Sequence, residues 1–261
     1  MRNIIYLRIL LLSLFITTTC SLSFGQSDVK KLGDGSILLE DFEDNRVGEL
    51  PGNWYDRDGN KPLNRHSVEE QQTYKYKIQI EGGDKFLHYE GTRAKHISFP
   101  LINEKEENLY NINIYETPIL SWKVRAHQLP EGGNEKSSNR NDSVASIYVV
   151  FDMGRVALVK KVPKTIRYTW STTLPEGETG SKLFGNQQII VVESGEQETG
   201  KWVTFERNLV EDYRRMFGDE PPKNPLAILI LSDGDSTGSY VKADYDDIML
   251  RQEKSIPGIV E

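Results

Sequence analysis

Apolar and polar residues alternate in short runs along most of this chain, the period expected of half-buried strands. In Pro118 to Ala126, Leu120, Trp122 and Val124 fall on one face and Ser121, Lys123 and Arg125 on the other. In Asp142 to Asp152, Ala145, Ile147, Val149 and Phe151 make one wholly apolar face, so a central strand is expected. Further strands are expected at 36–42, 77–80, 85–91, 95–101, 155–160, 165–171, 188–193, 201–207, 226–231 and 240–250, with a short one at 109–114. Turn-rich segments separate them, including 56–76 and a long flexible loop at 130–141. Only Asn208 to Phe217 shows helical spacing, in Leu209, Val210, Tyr213, Met216 and Phe217; Asn208 can cap it and Gly218 can end it. Many short strands with one helix predict an all-β fold, a two-sheet antiparallel jelly-roll sandwich of galactose-binding or concanavalin-like type, with one short α-helix near 208–217.

The N-terminus changes the picture from a plain globular chain to an exported one. Arg2 and Arg8 precede and flank an apolar run, Ile9 to Ile16, and Ser23-Phe24-Gly25 supplies small residues for cleavage before Gln26. The run is far shorter than the roughly 20 residues that span a bilayer, so no integral membrane span is expected. Four segments follow: a signal peptide at 1–25, a polar leader at 26–35, one β-sandwich domain at 36–252 and a tail at 253–261. The expected location is periplasmic or extracellular. Cys20, the single cysteine, lies in the signal, and Thr17-Thr18-Thr19 before it lack the leucine and small-residue pattern of lipid attachment. A chain starting at Gln26 has no disulfide and no thiolate chemistry. It would carry 30 basic against 39 acidic residues, which argues against a nucleic-acid partner.

The densest chemistry lies between Pro225 and Arg251. Asp233, Asp235, Asp244, Asp246 and Asp247 fall within fifteen residues. Like charges so close must be spread, solvated, paired or given a cation. In jelly rolls the first and last strands often meet at an edge, where calcium takes six to eight oxygens. Asp41 and Glu43 near the first strand, with Asp244 and Asp247 on the last, are the expected metal ligands. Asp246 and Asp247 cannot both serve without a bulge. The bland alternative is a solvated acidic turn paired to Arg125, Arg207 or Arg251. A second set is expected to line a groove. Trp54 and Trp170 sit near turns, where their faces could meet sugar rings, and Tyr148 and Tyr168 would share that face; Arg125, Asp142, Asp233 and Asp235 complete the ligand-binding set. Trp122 and Trp202, set amid apolar alternation, are expected in the core. His66, His88, His96 and His127 are scattered, and no motif assembles a nucleophile or an acid–base pair.

Two resemblances add to this. Phe42-Glu43, then Gly48, Pro51 and Trp54, resembles the opening of exported jelly-roll sandwiches that bind sugars. Five stretches together resemble the family named domain of unknown function 3047: LSWKV at 120–124 with Leu129-Pro130; DSVASIYVVFD at 142–152; IRYTW at 166–170 with Pro175 and Gly177; WVTFERNLVEDYRRMFGDEPP at 202–222; and residues 228–248 with SDGDSTGSYVKADYDDI. The likeness spans roughly residues 36–250. It implies a jelly-roll sandwich similar to sugar-binding modules, and it brings no established catalytic residues to carry over. That family's acidic pair before the alanine strand stands here as Asn141-Asp142, so both positions need not be charged. The function expected is that of an exported non-catalytic binding module for carbohydrate or another envelope polymer, with calcium as a structural ion. The alternatives are a hydrolase or lyase acting on such a polymer, and a structural protein of the envelope.

Overall fold

The structure, a computed structural model, describes residues 29–93, 95–103, 105–156 and 160–253. The signal at 1–25, Cys20 and nearly all of the tail lie outside them. The strands are β1 (Lys30–Lys31), β2 (Ile37–Glu40), β3 (Tyr76–Glu81), β4 (Asp84–Gly91), β5 (Ile97–Pro100), β6 (Ile119–Gln128), β7 (Ser143–Val156), β8 (Lys160–Ser171), β9 (Thr179–Lys182), β10 (Gln187–Ser194), β11 (Val203–Asn208), β12 (Ala227–Asp233) and β13 (Val241–Arg251). They form two sheets, the expected two-layer all-β architecture. The second sheet runs β5-β12-β7-β8-β10-β9, and within it β8 and β10 pair parallel.

The first sheet is built around β13. Along one edge β13 pairs with β4 over Val241–Tyr245 and then with β2 over Ile248–Leu250. Along the other it pairs with β6, which carries β11 beyond it. β2 and β4 thus lie end to end against one long strand. The join falls at Asp246 and Asp247, where the register slips and Asp247 takes a left-handed φ of 49°. The two adjacent acids therefore sit at a bulge in β13.

The core lies between the sheets. Leu120, Trp122, Val124 and Ala126 of β6 face Ala145, Ile147, Val149 and Phe151 of β7, as the alternation predicts. Trp122 packs against Tyr168 and Phe205, each 5.5 Å away between ring centres. The expected helix is present as α2 (Leu209–Phe217); its Asn208 cap accepts from Val210 and Glu211, and Gly218 ends it at φ 69°. Three local expectations are corrected. Residues 56–76 contain a short helix, α1 (Val68–Gln72), opened by a Ser67–Glu70 capping box. No strand forms at 109–114; Asn108 instead accepts from Tyr110 and Ile112 and donates to the Ile112 carbonyl, which curls the chain. Residues 142–152 and 155–160 are not two strands divided by a turn. The first continues through β7 to Val156, and 160–171 is its hairpin partner.

The 130–141 segment is also corrected from flexible loop to lid. Glu135 is fully buried and accepts from Thr169 Oγ1 at 2.9 Å and Ser171 Oγ at 2.6 Å. Arg167, likewise buried, donates to Asn141 at 3.0 Å, to Ser143 at 2.7 Å and to Ser146 at 3.0 Å. This polar stitching lays 130–141 over the outer face of the second sheet. The outer face of the first sheet stays open.

Asp246 sits at the bulge with its carboxyl pushed up to about 7, by burial first and by the neighbouring charge of Asp247 second. A raised carboxyl means that the folded chain binds a proton the unfolded chain has lost, so stability falls as pH rises from about 4 to about 7. Asp246→Asn is therefore expected to raise the unfolding free energy at pH 8 by about 1 kcal/mol, after allowing for solvent screening, and to leave it unchanged at pH 4. Urea denaturation at the two pH values measures the difference.

Candidate functional site

On the open face of the first sheet the outward side chains of four strands meet in a cleft of about 300 Å³ lined by Gln79, Ile80, Glu81, Phe86, His88, Arg125, His127, Lys242 and Asp244. Period two explains the set. Leu87, Tyr89, Val124, Ala126, Ala243 and Tyr245 enter the core, so Phe86, His88, Arg125, Lys242 and Asp244 must face outward. Strand register then brings His88, Asp244 and Arg125 into one row across β4, β13 and β6. At the β6–β13 pairing a slip leaves His127 as an extra residue between Ala126 and Gln128, beside the same carboxylate.

Asp244 is the hub. It is 1% exposed, and both of its oxygens are taken. His88 Nδ1 lies 2.6 Å from Oδ1, while Arg125 Nε at 2.8 Å and His127 Nε2 at 2.7 Å share Oδ2. Burial pushes this carboxyl up, but hydrogen bonds from His88, His127 and Arg125 together outweigh it and hold the group below the ordinary aspartate value. A second ring continues outward: His88 Nε2 is 3.3 Å from Glu90, and Arg125 donates a 2.6 Å bond to Glu81. The Arg125 guanidinium lies against two rings that meet edge to face, 5.2 Å from the centre of Phe86 and 4.7 Å from that of Trp202. Trp202 is 37% exposed at the rim. The arrangement is a fixed, nearly charge-balanced set of planar polar groups next to an aromatic ring, fit to hold a neutral or weakly charged polar ligand.

The expected residues divide. Arg125 lies in this cleft. Asp244 does too, but as the partner of two histidines and an arginine rather than as a metal ligand. Trp54, Trp170 and Tyr168 are corrected: they are 0%, 1% and 1% exposed, with no face left for a sugar. Each has its polar atom committed inside, Trp54 to Glu40, Trp170 to the Gly195 carbonyl and Tyr168 to Asp212. Tyr148 is buried as well, under Arg167 and against the edge of His96. Trp202, expected in the core, is the exposed one. Its signal was legible: Phe205 stands three positions on, so the two rings point to opposite faces.

The four expected calcium ligands do not gather. Asp41 pairs with Lys30, Glu43 accepts from the Lys85 backbone at 2.7 Å, and Asp247 pairs with Lys123 at 2.5 Å. Each of these three carboxylates is answered by a lysine residue of another strand, Lys30 of β1, Lys85 of β4 and Lys123 of β6. Among the described residues, the carboxylates that do gather are Asp142, Asp233 and Asp235, with one oxygen of each within 4.8 Å of the others. Their role is visible in the contacts. Asp142 accepts from Thr237 N and Thr237 Oγ1 at 2.7 Å each and from Ser236 N at 3.2 Å, so it pins the turn between β12 and β13. Burial, with Asp235 and Asp142 nearby, pushes Asp233 up to about 6.

A family model described as "Protein of unknown function (DUF3047)" matches residues 61–249. No curated protein sequence matches the chain. Among solved structures it is similar to the family 11 carbohydrate-binding module of the cellulosomal cellulase Lic26A-Cel5E of Clostridium thermocellum, at 12% identity and a TM-score of 0.40, over 87% of this chain and 100% of that one. It is also similar to the family 30 carbohydrate-binding module of Cel9D-Cel44B from the same organism, at 10% identity and a TM-score of 0.36, over 87% and 98%. A third is SGBP-B from a xyloglucan utilization locus of Bacteroides uniformis, at 12% identity and a TM-score of 0.33, over 82% of this chain and 49% of that one.

Asp244→Asn removes the hub charge and replaces one of the two acceptor oxygens with an NH2 that itself donates, so at least one of the three neighbours loses its acceptor in a buried place. Asp244→Asn is expected to cost about 3 kcal/mol of stability. Glu81→Gln, at an exposed partner of the same arginine, is expected to cost no more than about 0.5 kcal/mol. Urea denaturation at pH 7 separates them.

Proposed function

The chain belongs to the DUF3047 family of proteins of unknown function, and we propose that it is an exported, non-catalytic module, one sandwich domain over 36–252, that binds carbohydrate in the cleft on the open face of its first sheet. What supports this is the pairing of Trp202 with Arg125 at the cleft. Pyranoses present a C–H face and a ring of hydroxyls. Trp202 supplies an exposed ring for the face. Gln79, Lys242, His127 and the Arg125 guanidinium supply donors and acceptors for the hydroxyls. Asp244 keeps Arg125 and His127 in place before any ligand arrives, so little side-chain freedom is lost on binding.

Export is part of the proposal and rests on the signal-like residues 1–25. The near balance of charge in the cleft favours a neutral polysaccharide over a polyuronate.

Affinity gels cast with soluble neutral polysaccharides, backed by a glycan array, test the reading. The processed chain is expected to be retarded by at least one neutral glycan. Trp202→Ala is expected to weaken that binding tenfold or more while the unfolding midpoint stays within a few degrees, since the ring lies at the rim. Retardation that survives in Trp202→Ala, or none with any glycan, would sink it.

A further inference from the structure

The β12–β13 turn gathers charge that the chain's own cations leave unanswered. Asp233 ends β12, and Gly234 and Asp235 follow it. A Cβ at Gly234 would run into the Ser239 carbonyl, so the turn closes tightly and keeps its two acids adjacent. Asp142, just ahead of β7, supplies a third. One oxygen of each lies within 4.8 Å of the others. Oxygens that share a calcium ion at roughly 2.4 Å stand no more than about 5 Å apart, so the three fit one ion. Asp142 accepts three hydrogen bonds, and a carboxylate has about four places to accept, so it has room for a cation. Lysines answer Asp41, Glu43 and Asp247. Among the described residues, neither lysine nor arginine bonds any of these three. Arg167, whose charge reaches Asp233, gives its donors to Asn141, Ser143 and Ser146.

A buried hydroxyl points into the same place. Core tyrosines reach beneath the end of β12. Tyr76 Oη accepts from Ser232 N at 3.1 Å, and Tyr245 Oη accepts from Ser146 N at 3.2 Å and donates to the Leu231 carbonyl at 3.1 Å. Tyr89, its ring centre 5.0 Å from that of Tyr76, is 0% exposed, and its hydroxyl has no partner. The ring leans along β4 toward Gly91, where a Cβ would stand 3.4 Å from the hydroxyl. The next residue, Thr92, accepts from Gly234 N, between the two acids of the turn. Burial first, and the charge of Asp233 after it, push the hydroxyl's pKa up, so it stays protonated. A buried hydroxyl without a partner is costly. An ion with its water shell beside Asp233 supplies that partner.

We infer that Asp142, Asp233 and Asp235 bind one calcium ion at the root of the β12–β13 turn, and that a water on the ion bonds to the Tyr89 hydroxyl. The ligands are hard oxygens, with no nitrogen or sulfur to favour zinc or copper. Waters complete the shell, which the loose geometry of calcium allows more readily than the strict octahedron of magnesium. The ion joins the turn to the start of β7 and so to the lid that ends there. That lid is tied to the same turn at its other end, where Glu131 N donates to Ser239 Oγ at 2.9 Å. The site shares no residue with the lining of the cleft, so it stands or falls apart from the carbohydrate reading.

Calorimetric titration of the chelator-treated chain with calcium chloride, at constant ionic strength, tests this. One site per chain is expected. Calcium is expected to raise the unfolding midpoint by several degrees, and chelator to reverse the rise. Asp235→Asn, at an exposed acid, is expected to weaken calcium binding tenfold or more. Its calcium-free midpoint is expected to hold or rise, because a repulsion is gone. Tyr89→Phe removes the orphan hydroxyl; it is expected to raise the calcium-free midpoint and to weaken calcium binding severalfold. No heat and no shift in midpoint overturns the inference. So does an equal response to magnesium chloride, which would point to general screening of the acids, or a calcium response undiminished in Asp235→Asn, which would place the ion elsewhere. Calcium affinity unchanged in Tyr89→Phe overturns the water bridge.

Discussion

A carboxylate buried in the middle of a sheet must be answered by donors from both neighbouring strands, and the open face of this protein is arranged around one such group. Asp244 lies on β13 between β4 and β6, and it draws His88 from one side and Arg125 and His127 from the other. The backbone imposes the same geometry. β13 is the strand that β2, β4 and β6 all pair with, so a shift in its register by one residue would turn Asp244 into the core and Tyr245 out of it. The charge network and the hydrophobic alternation therefore specify the same register.

The bulge in β13 carries a cost of its own. Asp246 and Asp247 are adjacent, and burial with mutual repulsion leaves Asp246 titrating near neutrality. The gain is geometric, since the slip lets one strand carry two partners along a single edge. Glu40 plays a related part on the partner strand. It is a buried carboxyl raised by desolvation, and it accepts from Phe42 N at 2.8 Å and Trp54 Nε1 at 3.0 Å. It therefore ties the loop after β2 back onto the core. An acid at each of these points exchanges some stability for a fixed chain direction.

Much of the fold was legible because it rests on period two and on turn chemistry, both local. The faces of β6 and β7 follow directly from the alternation in 118–126 and 142–152, and α2 from its Asn208 cap and Gly218 stop. The cleft was harder. Arg125 could be singled out, but His88 and His127 look scattered until the strand order puts β4 and β6 on either side of β13. The tryptophans were misplaced because nearness to a turn was read as exposure. Trp54 and Trp170 sit by turns whose loops fold inward. The sheet parity of Trp202 against Phe205 was the better guide. The 130–141 segment misled for a similar reason, since its glycines and polar residues suggest a free loop. Its one buried glutamate, Glu135, is matched by hydroxyls 34 and 36 positions away that no local rule connects.

The electrostatics of the cleft bear on whether this face does chemistry. Glycoside hydrolysis asks for two carboxyl groups flanking the bond, one of them held protonated near neutral pH. Among the described residues, the carboxyls that burial raises are Glu40, Asp233 and Asp246, and none of them lines the cleft. The cleft's buried carboxyl, Asp244, is held low by three donors, which is the opposite of what a general acid needs. Glu81, the other carboxylate in the lining, is engaged with Arg125. His127 has one nitrogen fixed on Asp244, which sets its ring plane but points that nitrogen away from any ligand. The buried acid thus serves as the support that fixes a guanidinium and an imidazole on the open face.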